Sequence, residues 1–539
     1  MSETDERQES AGHAVAPSVM TESSAVVGGS ALRRSATLIA CLLGVALFAL
    51  ALVGPRATYP GPEMDEGSVL AYADRVLEGA VPHRDFSTFY GPGNVWLVAG
   101  AFAMLERSIW VERAVGVAYR LLIVLSMAVI CWRLAGLPAA VVGGGISATV
   151  FPNEVPWAYA TYGAIAFGLV SVALLAKAAT TRRPSQALVL AAGVAGGVGV
   201  LMRFDFTLAI LAAAVPLVLI LERRAGAMFW IGLVASAGLY IPYLLIVGPT
   251  RIGQTIGDIR ASGAGRDLSL PRPWMEWGDL LAAVLVLTPL LLIVGAVLVR
   301  RNTRDGRARI ILSVGLFSTG LVPWVLSRPD ITHIAPAALV PLSVVPAVTL
   351  ALIGSVHWSE RTKRLVSGAL VTVAMIGVFW KSESHLRLAP GKVENRGREF
   401  FPIGQRSIPD ATAIVRELEL RSRPGESLYV GPQDLRRMNN GATYLYFVLP
   451  QLEPASYYME MNPFTTTRDG SGFAADLRAA DWLILTSQWD DWKEANDSIL
   501  YGPSDANRVV RERFCERLTS GEYRLYERCK RRVGPATTG

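Results

Sequence analysis

Residues Ser35–Val53 read SATLIACLLGVALFALALV, and Gly54–Gly67, which follow, read GPRATYPGPEMDEG. The first run carries no charge and matches the roughly 20 residues a helix needs to cross a bilayer. The second breaks that helix at a Gly-Pro pair and turns acidic about a dozen residues further on, at Asp65 and Glu66. Arg33 and Arg34 stand immediately before the apolar run, which places its start in the cytoplasm and Gly54 outside. The Ala49-Leu50-Ala51 tripeptide has the pattern of a signal-peptidase site, but the polar lead and the length of the run favour an uncleaved anchor.

Outward from this anchor, apolar segments recur at 114–132, 138–151, 157–176, 186–202, 206–221, 226–247, 280–299, 308–326, 334–354 and 365–380. With the first run they predict an α-helical polytopic membrane protein of about eleven spans. The composition agrees: 51% of the 539 residues are hydrophobic and 18% charged, too oily and charge-poor for an ordinary soluble chain. Asn94–Leu105 is apolar but too short to cross and reads as an interfacial helix. That choice puts Arg133, Arg182-Arg183, Arg223-Arg224, the Arg300–Arg309 cluster and Arg361, Lys363 and Arg364 in the cytoplasm, as the positive-inside rule requires. Counting 94–105 as a span would place all of them outside. The net charge of +7 is therefore membrane orientation, and nucleic acid is excluded as a partner.

The expected organisation is a disordered cytoplasmic tail (1–32), a membrane module (33–380) whose outer loop 54–113 holds interfacial helices, and an extracytoplasmic domain (381–539). In that last domain Ser427–Val430, Trp482–Leu485 and Tyr523–Tyr526 have strand patterns and Ala411–Leu420 a helical one, which together predict a small α/β fold. Cys515 and Cys529 flank a hairpin-like stretch and are either a disulfide or a free pair. Cys41 and Cys131, inside apolar runs, behave as small hydrophobes.

By the same parity the informative polar residues lie outside. The outer loop holds Asp65 and Glu66, then Asp85 in His83-Arg84-Asp85-Phe86, then Tyr90-Gly91-Pro92-Gly93. A carboxylate just above the headgroups can accept the proton of an attacking hydroxyl. A divalent cation (Mg, Mn or Ca) between Asp65 and a phosphate is a compatible addition, and a solvated acidic turn is the plain alternative. Ser327-Arg328-Pro329-Asp330-Ile331-Thr332-His333 occupies an outer mouth between two spans, where Arg328 and His333 suit phosphate oxygens. An interfacial loop in which Arg328 pairs with Asp330 is the alternative there. Arg203 and Asp205 interrupt two apolar spans, and charges so placed line a cavity or pair with each other. Glu154, in Pro152-Asn153-Glu154-Val155-Pro156, is a further outer carboxylate suited to supporting an acceptor or a metal. Arg113 is expected to snorkel and Arg120, on the same face, to point inward. The loop 248–279 has the length and composition of a mobile flap, and Trp489-Asp490-Asp491-Trp492 combines aromatics with acids as sugar sites do. The chain has no His-Glu-x-x-His, no Cys-x-x-Cys and no Gly-rich loop after a strand, so zinc and Rossmann-type nucleotide-sugar chemistry are unsupported.

The first span, the Asp65-Glu66 turn, Gly79-x-x-Pro82-x-x-Asp85-Phe86, the Tyr-Gly-Pro-Gly turn and Arg113 before the next span together resemble the GT-C superfamily of membrane glycosyltransferases. Protein mannosyltransferases, aminoarabinose transferases and actinobacterial arabinofuranosyltransferases share that layout. The resemblance is specific over residues 35–135, diffuse through the later spans and weak in the tail. It implies a polyprenyl-phosphate sugar as donor and an envelope glycan, lipid or protein as acceptor. Asp65, supported by Glu66, inherits the place of the catalytic base or metal contact. The Arg-x-Asp-x-x-His segment resembles one found near the last spans of some bacterial members. The expected roles are then donor-phosphate binding by Arg328, His333 and Arg203, with Glu154, Asp85, Asp330 and Asp205 supporting acceptor or metal. A transporter or flippase of lipid-linked precursors is the competing reading. It calls for repeated halves and polar groups at the midplane, whereas here no repeat is visible and the charges gather at the outer rim.

Overall fold

Each apolar segment of the sequence is mostly helical, 226–247 as two successive helices. A computed structural model describes residues 22–151, 155–264, 270–271, 278–355, 359–381, 391–437, 441–460, 465–466, 470–490 and 502–529. The helices of the first part are α1 (Glu22–Val53), α2 (Asp65–Leu77), α3 (Pro92–Met104), α4 (Ile109–Ala135), α5 (Leu137–Val150), α6 (Ala160–Ala179), α7 (Gln186–Met202) and α8 (Thr207–Val218). They continue as α9 (Arg223–Ala237), α10 (Tyr240–Val247), α11 (Pro249–Ala264), α12 (Gly278–Arg301), α13 (Gly306–Ser327), α14 (Ile331–Ser355) and α15 (Glu360–Lys381). Among the described residues, seven helical stretches are long and apolar enough to cross a membrane, within α1, α4, α6, α9–α10, α12, α13 and α14. The apolar helices α5, α7 and α8 are shorter, and α15 carries the last apolar segment. The chain is a membrane protein.

Local chemistry places the helix ends. Ser108 Oγ accepts the Val111 N–H at 3.3 Å and starts α4, and Asp305 does the same for α13 through Arg307 N at 2.9 Å. Gly136, at φ 82°, reverses the chain between α4 and α5 without a connecting loop. α3, at 13 residues and roughly 20 Å, is too short to cross; it lies against α2, α4 and α7.

The C-terminal part opens with an antiparallel hairpin, β1 (Val393–Asn395) and β2 (Arg398–Phe400), then α16 (Ile408–Arg421). β3 (Ser427–Pro432), α17 (Tyr444–Val448), β4 (Glu453–Pro454), α18 (Phe473–Ala479), β5 (Trp482–Thr486), α19 (Asp505–Arg513), β6 (Phe514–Ser520) and β7 (Tyr523–Arg528) follow. The five-stranded sheet has the order β4-β3-β5-β7-β6, parallel at β4-β3-β5 and antiparallel across β7 and β6. Its three long central strands are the ones the sequence pattern marked. Cys515 and Cys529 form a disulfide across the β6–β7 pair.

This α/β unit is docked on the segment between α1 and the start of α4 by specific bonds. Gly61 N donates to Phe401 O at 2.7 Å, and Trp110 Nε1 donates to Glu399 at 2.7 Å. Arg398 pairs with Asp74 of α2 at 2.6 Å, both largely buried. α17 lies along α2, and one continuous apolar core runs from the bundle into the near side of the sheet. A second apolar cluster fills the far side, around Tyr429, Phe473 and Leu483.

The described part of the segment read as a flap is largely the helix α11. α11 is held against the C-terminal unit, Gln254 Nε2 donating to Tyr458 Oη at 2.9 Å while the Arg251 guanidinium stacks 4.4 Å over the Tyr457 ring. Residues 265–269 and 272–277 of that segment, and Asp491 and Trp492 of the Trp-Asp-Asp-Trp stretch, lie outside the described residues.

Candidate active site

α2 begins at the acidic turn, so Asp65 and Glu66 both occupy its first turn, where the helix dipole favours negative charge. The two side chains diverge, because adjacent residues on a helix point about 100° apart. Glu66 turns into the protein. Its oxygens receive Arg113 Nε at 2.7 Å and Nη2 at 2.9 Å, and Arg113 Nη1 donates to Ala57 O at 2.6 Å and Tyr59 O at 3.0 Å. Both side chains are at most 1% exposed. Glu66, expected beside Asp65 in the chemistry, is bonded to Arg113, which in turn ties down Ala57 and Tyr59 of the loop between α1 and α4. Arg113 does not snorkel, because the bidentate carboxylate compensates its buried charge better than the interface would. Arg120 does point inward, with Nη1 donating to Gly116 O and Trp157 O and its guanidinium 4.1 Å from the Tyr162 ring centre.

Asp65 is half-buried, and its charge is one of those felt by the Tyr90 hydroxyl. Burial lifts the Tyr90 hydroxyl well above its ordinary range; the neighbouring Tyr159, Glu460 and Asp65 lift it further, and Arg203 opposes them. Tyr90 is brought there by the Tyr-Gly-Pro-Gly turn. Gly91 N donates to Met202 O at 3.1 Å, and a Cβ on Gly91 would stand 2.2 Å from Leu201 O. Only a bare backbone approaches the end of α7 this closely.

The residue after Met202 is Arg203, whose guanidinium sits 5.3 Å from the Tyr90 ring, 4.8 Å from Phe206 and 5.5 Å from Trp324. Arg203 Nε and Nη2 donate to Asp205 at 3.0 and 2.6 Å, and Nη1 donates to Thr161 Oγ1 at 2.5 Å. Trp324 in turn lies 4.7 Å from the His333 ring.

His333 belongs to a local triad. Arg328 Nε reaches Asp330 at 2.8 Å. The other Asp330 oxygen bonds His333 Nδ1 at 2.7 Å, Thr332 Oγ1 at 2.7 Å and His333 N at 3.1 Å. Against the pull of burial, the bond and charge of His333 and the charge of Arg328 hold the Asp330 carboxyl below its ordinary range. An ionised Asp330 accepts from Nδ1–H, which orients the ring and leaves Nε2 as its other polar edge.

Tyr90, Arg203 and the Arg328/His333 mouth come from three distant segments and are joined through Trp324 in steps of about 5 Å, and the charge of Asp65 acts on the Tyr90 hydroxyl. Asp85 instead serves its own turn, accepting Val81 N at 2.7 Å and pairing with Arg84, which holds its carboxyl low. Glu154 lies outside the described residues. Two groups to which the sequence assigned no role are bonded to each other here: Tyr72, seven residues after Asp65 on α2, and the buried Glu460, to which Tyr72 Oη donates at 3.2 Å. The spacing Asp65–Tyr72 was a usable signal. Nothing near Glu460 in the chain pointed to it.

Among the described residues no three His, Cys, Asp or Glu side chains converge as a metal-binding group.

Solved membrane structures share this arrangement of helices. ArnT from Cupriavidus metallidurans bound to undecaprenyl phosphate is similar at a TM-score of 0.54 and 12% identity, over 92% of this chain and 99% of that one. The same protein in the apo state gives 0.51 at 12% identity, over 91% and 98%. The Archaeoglobus fulgidus oligosaccharyltransferase in the apo form gives 0.48 at 11% identity, over 92% and 75%. No family model and no curated protein matches the sequence.

Proposed function

We propose that this chain, which has a GT-C-like fold, is a membrane glycosyltransferase that moves a sugar from a polyprenyl-phosphate donor to an extracytoplasmic envelope acceptor. The observation that supports the reading is the junction of Tyr90 with the Arg328/His333 mouth through Arg203 and Trp324, with the charge of Asp65 acting on the Tyr90 hydroxyl. A proton acceptor on one side and cationic donors on the other are what glycosyl transfer from a lipid phosphate needs. ArnT, which shares the fold, holds undecaprenyl phosphate in its crystal structure, and this supports a lipid phosphate as partner here.

In this reading Arg328, His333 and the remaining N–H groups of Arg203 receive the phosphate. The acceptor hydroxyl oxygen attacks the anomeric carbon, the bond from that carbon to the phosphate oxygen breaks, and polyprenyl phosphate leaves with the electron pair. Asp65 takes the hydroxyl proton. A single displacement of this kind inverts the anomeric centre. Asp205 and Asp330 hold Arg203 and His333 in place rather than meeting substrate. The outer placement of the site follows the positive-inside pattern, and the Cys515–Cys529 disulfide suits an oxidising exterior.

The test is turnover of a panel of polyprenyl-phosphate sugars by the purified chain in lipid nanodiscs, read as release of polyprenyl phosphate. Asp65→Asn should lower turnover by roughly a hundredfold or more, the scale of a lost general base, with donor binding intact. Activity retained in Asp65→Asn removes that residue from the chemistry. No turnover of any donor by the wild type removes the function.

A further inference from the structure

The first span carries a groove along one face. Thr37, Cys41, Gly44 and Phe48 follow one another at intervals of four, three and four residues, which brings them to one side of α1. That side, residues 137–145 of α5 and Met375 of α15 enclose a groove of about 510 Å³. Of the side chains that line it only Thr37 carries an oxygen, and it stands at one end. Ile39, Leu43 and Leu47 of α1 and Val373 and Ile376 of α15 are exposed beside it, so the groove opens to the hydrocarbon of the bilayer.

Water finds no set of hydrogen-bond partners in such a groove, and leaving it empty would forfeit the dispersion contacts of its walls. A hydrocarbon chain satisfies both conditions. Between Thr37 and Phe48 the groove follows eleven residues of helix, roughly 16 Å, which matches the hydrocarbon depth of one leaflet, roughly 15 Å. The Thr37 end is also the basic one. Arg33 and Arg34 precede the apolar run of α1, Arg133 stands near the end of α4 just before Leu137, and Arg361 and Arg364 lie in the first turns of α15. By the positive-inside pattern that end is cytoplasmic. The Arg133 guanidinium lies 4.1 Å from the Trp132 ring centre, and its Nε has no hydrogen-bond partner among the described residues. Arginines at the cytoplasmic end of a groove between spans suit the phosphate of a lipid headgroup.

We propose that this groove is a binding site for one acyl chain of an anionic phospholipid of the cytoplasmic leaflet, whose phosphate meets Arg133. The bound chain completes the packing of α1 and α15 on α5, and its presence does not depend on the transferase reading. Native mass spectrometry tests this on the full chain, delipidated in detergent and then supplied with phosphatidylglycerol or with phosphatidylcholine of the same acyl chains. The wild type should retain one phosphatidylglycerol and prefer it about fivefold, the scale of one arginine beside an anionic headgroup. Gly44→Phe should fill the groove, since a Cβ at Gly44 meets nothing within 4 Å, and lower lipid retention about tenfold or more through the lost contacts with the chain. Ala40→Phe, one turn earlier in the same groove, should do the same and serves if Gly44→Phe does not fold. Leu47→Phe, on the exposed side of α1, should leave retention as it is, and Arg133→Gln should remove the preference for phosphatidylglycerol.

Retention equal to wild type in the groove-filling variants overturns the site, as does an equal loss in Leu47→Phe, which would mark lipid held all around the protein. A wild type without headgroup preference, or a preference that survives Arg133→Gln, overturns the phosphate contact and with it the proposal. Binding of polyprenyl phosphate in preference to phosphatidylglycerol, lost in Gly44→Phe, would assign the groove to a prenyl tail and overturn the phospholipid.

Discussion

Glu63, two residues before Asp65, is the group whose protonation should most visibly change the stability of this chain. It is 1% exposed. Its carboxylate accepts Gly404 N at 2.9 Å and Gln488 Nε2 at 3.1 and 3.0 Å, and its backbone oxygen accepts Tyr444 N at 3.2 Å. Gln488 is itself held by Tyr523 Oη at 2.8 Å. Burial pushes the Glu63 carboxyl up from 4.5 to about 7, the bonds from Gly404 and Gln488 working against it and the charge of Glu522 adding to it. Between those two values the folded chain binds a proton that the unfolded chain has released, so stability falls as pH rises through the window and levels off above it. At about 1.4 kcal/mol per unit, the drop from pH 5 to pH 8 amounts to about 2.5 kcal/mol.

His83 works in the opposite direction. Burial lowers it from 6.5 to about 4, so the unfolded chain binds the extra proton and stability rises with pH over that range. The wild-type curve is therefore a composite, and a comparison with Glu63→Gln isolates the carboxyl. Thermal or denaturant midpoints of the detergent-solubilised chain at pH 5 and pH 8 should show Glu63→Gln gaining on the wild type by about 2 to 3 kcal/mol at the higher pH. Parallel pH curves for the two proteins would refute the reasoning.

Two further substitutions probe the framework of the site. Arg113→Met strands the buried Glu66 charge and should cost about 3 to 5 kcal/mol, read as a lowered unfolding midpoint, with much of the loss restored by adding Glu66→Leu; an unaltered midpoint in the single variant would show that the pair is dispensable. Gly91→Ala places a Cβ 2.2 Å from Leu201 O and 2.4 Å from Tyr240 Oη, so the turn must retreat and separate Tyr90 from Arg203. Turnover should drop about tenfold or more, as misplacements near 1 Å can cause, while Gly100→Ala, with nothing within 4 Å, should behave as wild type. Equal activity in the two alanine variants would detach the turn from function.

The membrane class, the helical segments, the central strands of the C-terminal sheet and the acidic turn were all legible in the order of residues. Transfer free energy accumulates along a contiguous apolar run, and strand patterning repeats every second residue, so both signals are local. Arg203, Asp205, Arg328, Asp330 and His333 stood out for the same reason, as charges or polar groups interrupting or bordering apolar spans.

What each polar group does was settled only by tertiary packing. Asp65 and Glu66 are neighbours with the same chemistry, yet Asp65 stays half-buried while Glu66 disappears into Arg113, because a helix separates adjacent side chains by about 100°. Arg203 and His333 are 130 positions apart and meet across Trp324, and Glu460 reaches Tyr72 across 388. Desolvation and pairing depend on atoms brought together by folding, and no local pattern records which distant residue supplies them.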